Sequence, residues 1–361
     1  MKPLSKTLLV LFLIPAVAMA TPEKMKGKYT KEKTIKKEFN VNSGTGLQVK
    51  NSYGNLDIVT WDENRTVIEV TIKTNGDNEE KVIARLSEID VEFNASSSLV
   101  SAETTFENKK SGWSWWGSSK NNVSVEVNYS IKLPITNTVD LNNDYGTIRM
   151  NKLKGHATIN CDYGQLIIGE LLAENNYLTF DYTDKSTIGY MKSGRINADY
   201  SGFTLEKTER LELNADYTQS EIIDGKSINY NCDYGKVIIG KAEDVIGRGD
   251  YVNNKIGTIT GSLNLNTDYG SINIDNVSFQ AKNVTIKADY TGVKMGFDSS
   301  YNFDFVIDLS YASFKGEQEV TILKSSKDYT SSKYSGFHGK QNSGNTVNIN
   351  SDYGGVTFYK N

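Results

Sequence analysis

Beyond residue 40 the chain alternates apolar and polar positions with a period of two, in short runs broken by Gly, Asn, Asp and Ser. Many runs meet at a tyrosine followed by a small residue. Four positions before it stand Leu141, Ile159, Leu178, Ile196, Leu213, Leu265, Ile286, Ile307 and Ile349. Two positions before it the residue is nearly always small, as at Cys161, Ala198, Ala215, Cys232 and Ser351. Three and five positions after it come apolar pairs such as Ile148 and Met150, Leu166 and Ile168, or Val237 and Ile239. Alternation on both sides of a turn predicts two strands, each with one buried face, and the one-residue shift across the tyrosine predicts a corner. One segment departs from this period. In Asp77–Ile89, Val82, Ile83, Leu86 and Ile89 fall on one face of a helix.

The tyrosine mark recurs at 145, 163, 182, 200, 217, 234, 251, 269, 290 and 311, in steps of 17 to 21 residues, and ends at Tyr353. "KYSGF" around Tyr334 echoes "DYSGF" around Tyr200, so Tyr334 is expected to mark a further rung; an outlying copy stands at Asn51–Ile58. A single unit cannot bury its own face, whereas stacked units can, at about 4.8 Å per layer. Eighteen residues at roughly 3.3 Å each give a coil about 60 Å around, and twelve rungs give a rod of about 55 Å. The predicted architecture is all-β: a single-stranded β-solenoid of about 18-residue rungs, preceded by a strand-rich segment carrying a hairpin insertion.

"NCDYGQLIIG" at 160–169 and "NCDYGKVIIG" at 231–240 are then the same place in two rungs. Cys161 and Cys232 stand four tyrosine steps apart, about 19 Å along such a rod. A disulfide needs Cα atoms within about 7 Å, so both are expected as free, buried thiols.

Stacking turns each repeat position into a column. The residue before the tyrosine is Asp at 144, 162, 181, 199, 216, 233, 250, 268, 289 and 352. Two readings are open: an Asx-turn, with the carboxylate accepting the N–H two residues on, or a line of cation sites. Calcium would relieve the repulsion between carboxylates, but the glycine-rich nonapeptide of calcium-binding β-rolls is missing. An Asn column (142, 160, 197, 214, 231, 266, 350) predicts an amide ladder. By parity the tyrosine rings are expected over the small residues of the buried face, their hydroxyls at the rim.

Composition completes the organisation. Lys2 and Lys6, the apolar run Leu8–Val17 and Ala18-Met19-Ala20 have the layout of a secretory signal peptide over residues 1–20. The run is too short to span a membrane, and no transmembrane segment is expected. Residues 21–40 hold seven lysines and three glutamates and no apolar periodicity, predicting a basic, mobile stub. The net charge is −4, and residues 41–361 carry about −10, which argues against nucleic acid as a partner. The organisation expected is thus a signal peptide (1–20), a basic stub (21–40), an N-terminal β segment with the helix and hairpin (41–140), and solenoid repeats (141–361). The protein is expected to be exported to the periplasm, the outer cell surface or the medium.

"SGWSWWGSSK" at 111–120 contains three of the four tryptophans and is flanked by alternating strands. It reads as a hairpin tip. Trp113, Trp115 and Trp116 either contact a ligand, as exposed aromatic clusters do, or fold back over the open end of the coil.

Two histidines, His156 and His338, stand near different rungs without a nucleophile motif, and there is no metal-binding His/Cys spacing and no phosphate loop. The evenly repeated carboxylates do not suggest the differently tuned pair of a glycosidase. No enzyme activity and no cofactor are expected. The unit apolar-x-small-Asp-Tyr-Gly-x-apolar-x-apolar, after an export signal, resembles the bacterial putative-adhesin family over about residues 45–360. These are secreted β-solenoid proteins related to auto-transporter adhesin head domains. The resemblance implies an adhesin-like or cell-envelope role, with a cell-surface glycan or an envelope protein as partner. A solenoid that binds or processes polysaccharide is the alternative.

Overall fold

The computed structural model describes residues 25–107 and 123–361. The chain is all-β, its strands hydrogen-bonded in a large open sheet, and it divides into two compact units, residues 1–173 and 174–361.

In the first unit, strand Thr138–Asp144 runs parallel between Gly46–Ser52 and Ala157–Asp162, with Val139 opposite both Leu47 and Ala157. Val139 and Leu141 are buried while the residues beside them face out, the alternation a one-sided strand requires. The strand before Gly46 and the chain between Ser52 and Thr138 together build an antiparallel part. Tyr29–Asn40, Arg65–Gly76 and Ser124–Pro134 pair in that order, and Ser124–Pro134 then runs parallel to Leu56–Trp61. Ile89–Ala95 pairs antiparallel with Leu99–Phe106, which joins Gly46–Ser52.

The predicted helix is present over Glu79–Ser87, but the expected apolar face is corrected: Val82 alone is buried within it, Ile83 is exposed, and Ile89 begins the next strand. Asn78 caps it by accepting the Lys81 N–H at 3.0 Å, with Glu79 and Glu80 in the first turn and Arg85 in the last, as the helix dipole favours. Val82 is fully buried, and its carbonyl accepts the Thr74 hydroxyl at 2.9 Å.

The stub expected to be mobile is corrected from Tyr29 onward. All twelve residues of Tyr29–Asn40 pair with Arg65–Gly76. Its sequence lacks a buried stripe because backbone bonds and surface ion pairs hold it, among them Lys31–Glu79 at 2.6 Å and Lys36–Glu69 at 3.4 Å. Each such pair contributes at most about 1 kcal/mol. Lysines along an outer strand also discourage pairing with a foreign strand.

In the second unit, four long strands, Ser186–Asp199, Gly202–Asp216, Gln219–Asn231 and Lys236–Asp250, lie parallel in register. Phe203 stands opposite Ser186 and Ser220, and Val237 opposite Ser220 and Asn254. Tyr230 is buried, donates its hydroxyl to Asn254 Oδ1 at 2.6 Å, and faces Gly247 in the next strand. A Cβ at Gly247 would lie 2.1 Å from the Tyr230 ring.

The end of the chain does not follow sequence order. Thr346–Asp352 is inserted between Val284–Asp289 and Phe303–Ser310, and Val356–Lys360 between Gly292–Phe297 and Phe314–Lys315. Ser331–His338 turns antiparallel onto Phe303–Ser310, and Thr321–Lys327 pairs antiparallel with it. Tyr334 is therefore not the mark of a parallel layer. It is buried opposite Ile307. Phe297, Phe303, Phe305, Phe314 and Phe358 pack there edge to face or tilted, and His338 lies flat on Phe303 at 5.5 Å.

Candidate functional site

The corner tyrosines do not lie over the buried face. Each has a positive φ, 53–65° at Tyr53, Tyr145 and Tyr163 and 49–58° at the nine of the second unit. This left-handed conformation breaks the alternation on which the parity argument rested and turns the rings outward. Each corner in the regular part of the sheet is fixed by the tyrosine N–H, which donates to the carbonyl of the Asp in the neighbouring layer. Examples are Tyr145 to Asp162 at 2.9 Å and Tyr217 to Asp233 at 2.9 Å. Where a glycine follows the tyrosine, the neighbouring layer's backbone comes close. A Cβ at Gly270 would lie 2.1 Å from the Val252 carbonyl oxygen.

The outward rings stack on one another. In the first unit Tyr53, Tyr145 and Tyr163 are 5.4 and 5.1 Å apart, and Phe106 closes the Tyr53 end edge-on at 6.1 Å. In the second unit the order is Tyr182, Tyr200, Tyr217, Tyr234, Tyr251, Tyr269, Tyr290, Tyr353 and Tyr311. Neighbouring centroids there are 4.6–5.1 Å apart and the planes within 10° of parallel. The interior rings remain 46–53% exposed. A left-handed conformation costs a bulky residue on the order of 1–2 kcal/mol, and Gly or Asn would be the inexpensive choice. Stacking returns about 0.5–1.5 kcal/mol per pair, so packing roughly offsets the strain. Stability alone does not single out tyrosine for so many exposed corners.

The carboxylates flank this row. Their contacts correct the Asx-turn reading. Asp181, Asp199, Asp216 and Asp233 each accept the N–H of the Asp one layer on, at 3.1, 3.1, 3.0 and 2.8 Å, and not an N–H two residues on in the same turn. These bonds hold the acidic residues in line. Among the described residues, no group of three or more His, Cys, Asp or Glu is placed to hold a metal ion. Partial burial, then the neighbouring Asp289 and Asp250, push the Asp268 carboxyl up from the usual carboxylate range. Loss of solvation in the stack, then the adjacent rings, raise the Tyr200 and Tyr353 phenols, which stay protonated at neutral pH. Of the expected amide ladder, Asn214 donates to Asn197 Oδ1 at 2.9 Å, and Asn197 to the Tyr177 hydroxyl at 2.6 Å.

The second unit thus presents nine ring edges and hydroxyls at strand spacing, bordered by carboxylates. Such a strip offers apolar contact, hydrogen-bond donors and acceptors along one line, which complements an extended partner better than a compact small molecule. The tyrosine period was legible in the sequence; the outward turn could have been read from a bulky residue recurring where Gly or Asn would be expected. Trp113, Trp115 and Trp116, the residues expected to contact a ligand or cap the coil, lie outside the described residues, as does the expected signal peptide. Cys161 and Cys232 are free and buried, and burial pushes each thiol up to about 12.

No family model and no curated protein matches the chain. Solved structures align over most of it, among them the following three. A putative cell adhesion protein of Clostridium sporogenes is 12% identical, over 92% of this chain and 100% of that one, with a TM-score of 0.20. A putative adhesin of Parabacteroides merdae is 9% identical, over 90% and 96%, with a TM-score of 0.34. A putative lipid binding protein of Parabacteroides distasonis is 8% identical, over 90% and 96%, with a TM-score of 0.31.

Proposed function

We propose that the protein is an exported, non-enzymatic β-solenoid of about 18-residue rungs with an adhesin-like role at the cell envelope. In this reading it attaches through its tyrosine ladder to an extended surface component. The observation that carries the reading is the row of nine parallel, half-exposed rings in the second unit, held in a backbone conformation that tyrosine adopts only at a cost. Rigid aromatic side chains lose little conformational entropy on contact, and exposed aromatic patches mark interaction surfaces. The amino-terminal export signal and the Asp-Tyr-Gly unit agree with this reading, in which residues 1–20 are removed and residues 141–361 form the coil. A second reading, polysaccharide binding, is favoured by the carboxylates beside the rings, since acceptors next to aromatic edges suit hydroxylated chains.

The test is attachment. The mature chain and a Tyr217→Asn, Tyr234→Asn, Tyr251→Asn variant are applied to a glycan array and to cell monolayers, with thermal melting recorded for both. Asn tolerates the left-handed corner, so the variant retains the fold and is expected to lose attachment. Equal attachment by both proteins would sink the reading. Binding confined to polysaccharides on the array selects the second one.

A further inference from the structure

The ladder of the second unit ends in an unfilled place. Along the regular part of the sheet, each tyrosine N–H is bonded to the next layer's chain, and that layer's own tyrosine covers its ring. Tyr311 keeps the first feature and lacks the second. Its N–H donates to the Thr330 carbonyl at 2.7 Å, so Thr330 stands where the next layer's Asp would stand. There the chain runs antiparallel, and the residue after Thr330 enters a strand and not a corner. No tyrosine is delivered to the outer face of Tyr311, whose exposure is 59% against 46–53% for the interior rings. On that side lies an open, shallow cavity of about 550 Å³, walled on one side by the hairpin turn and comparable in volume to small-ligand sites. Tyr329, at the tip of the turn, is 99% exposed. Its N–H is held by the Asp328 carboxylate at 2.8 Å.

We infer that this cavity is a binding site for a single hydroxylated ring, a pyranose at the end of a glycan, stacked on Tyr311 in the place of a tenth ladder ring. The walls decide the ligand class. Tyr311 and Tyr329 offer two aromatic surfaces for the C–H face of a sugar. Lys327, Asp328, Ser331 and Ser332 line the same space, supplying donors and acceptors for its hydroxyls. An aromatic side chain of a partner protein would use the ring surfaces but leave these polar groups to solvent, whereas a pyranose uses both. The site lies at the end of the ladder and does not depend on attachment along its side, so it stands if the proposed function fails.

The experiment uses the mature chain and saturation-transfer NMR with methyl glucoside, methyl galactoside, N-acetylglucosamine and glucuronate, followed by titration calorimetry of any that bind. At least one pyranoside is expected to bind. Tyr329→Ala and Tyr311→Asn are each expected to weaken it tenfold or more, and Tyr234→Asn less than twofold. Because Tyr329 makes almost no contact, its variant folds as the parent does. Absence of binding by all four probes, or equal affinity in Tyr329→Ala, would overturn the assignment. So would concentration-dependent dimerisation that Tyr329→Ala abolishes, since the place would then be filled by a second copy of the chain.

Discussion

Tyr290 stacks on Tyr353, 63 residues away in sequence, with centroids 4.6 Å apart, and Tyr311 lies beyond Tyr353 at 4.9 Å. The last sixteen residues are thus not a tail added at the end. They supply the layer between two others.

Removal of residues 346–361 is accordingly expected to open the end of the second unit. It withdraws Val347, Ile349, Val356 and Phe358, all buried, each worth roughly 1.5–3 kcal/mol, and it leaves Phe303–Ser310 without its parallel neighbour. The shortened chain should aggregate or melt far below the parent. Melting at the parent's temperature would show that the inserted layer is dispensable.

Gly247 gives a sharper test of packing. Gly247→Ala forces a methyl group against the buried Tyr230 ring, whose hydroxyl bond to Asn254 prevents an easy retreat. Overpacking of this kind costs about 1–3 kcal/mol. Urea unfolding should show that loss, and Tyr230→Phe combined with Gly247→Ala should recover part of it, because the ring then lacks both the hydroxyl nearest the methyl and the bond that holds it in place. A stability unchanged within error would mean that the two strands separate more readily than their register implies.

At the ladder, two substitutions at Tyr234 separate strain from stacking. Tyr234→Ala loses two stacked neighbours at about 0.5–1.5 kcal/mol each while keeping the left-handed strain. Tyr234→Asn loses the same contacts but sits comfortably at φ 52°. The Asn protein should therefore be the more stable of the two by about 1 kcal/mol, measured by urea midpoint. The reverse order would remove the strain argument from the corner.

The thiols test burial. With both pushed up to about 12 by loss of solvation, almost no thiolate is present at neutral pH, and the thiolate is the reactive form. A thiol reagent should label neither cysteine in the native protein and both in denaturant. A denatured, unreduced chain with a mass two units low would instead reveal a Cys161–Cys232 bridge.

Acid should affect the Asp row in a definite direction. A carboxyl whose folded value is raised, as at Asp268, binds its proton more tightly folded than unfolded. Its contribution therefore opposes folding at neutral pH and eases as pH falls through the carboxylate range. Asp268→Asn keeps an oxygen to accept a backbone N–H. It should leave the neutral melting temperature equal or slightly higher and remove the relief on acidification, so that stability falls more steeply than the parent's as pH drops through the carboxylate range. An acid limb identical to the parent's would show that the row does not repel itself.

The sequence carried the tyrosine period and the helix at 79–87, because both are local: an alternation, a cap and a run of one face. Three features needed information that local patterns lack. The orientation of the tyrosines depends on a positive φ, which a two-residue period does not encode. The Asp contacts cross between layers, so that a short-range turn and a cross-layer bond read identically along the chain. The insertion of residues 346–360 is topological: "SDYGGVTF" fits any layer equally well, and the antiparallel strand at 331–338, not a further parallel layer, pairs with the free side of Phe303–Ser310. The lysine-rich stub looked unstructured because its strand is held by a partner's backbone and not by buried side chains of its own.

Unequal spacing along the row has a practical meaning. Tyr269 and Tyr290 are 21 residues apart, whereas Tyr217 and Tyr234 are 17 apart, yet both pairs stack at 4.9 Å. The surplus is taken up at the opposite bend, at 278–283, where Phe279 stands exposed. Chain length is thus free to drift on one side of the molecule while the other side keeps its beat. A foreign peptide grafted after Phe279 would be carried outward as a display loop, and a lineage of such proteins could change one surface without retuning the other.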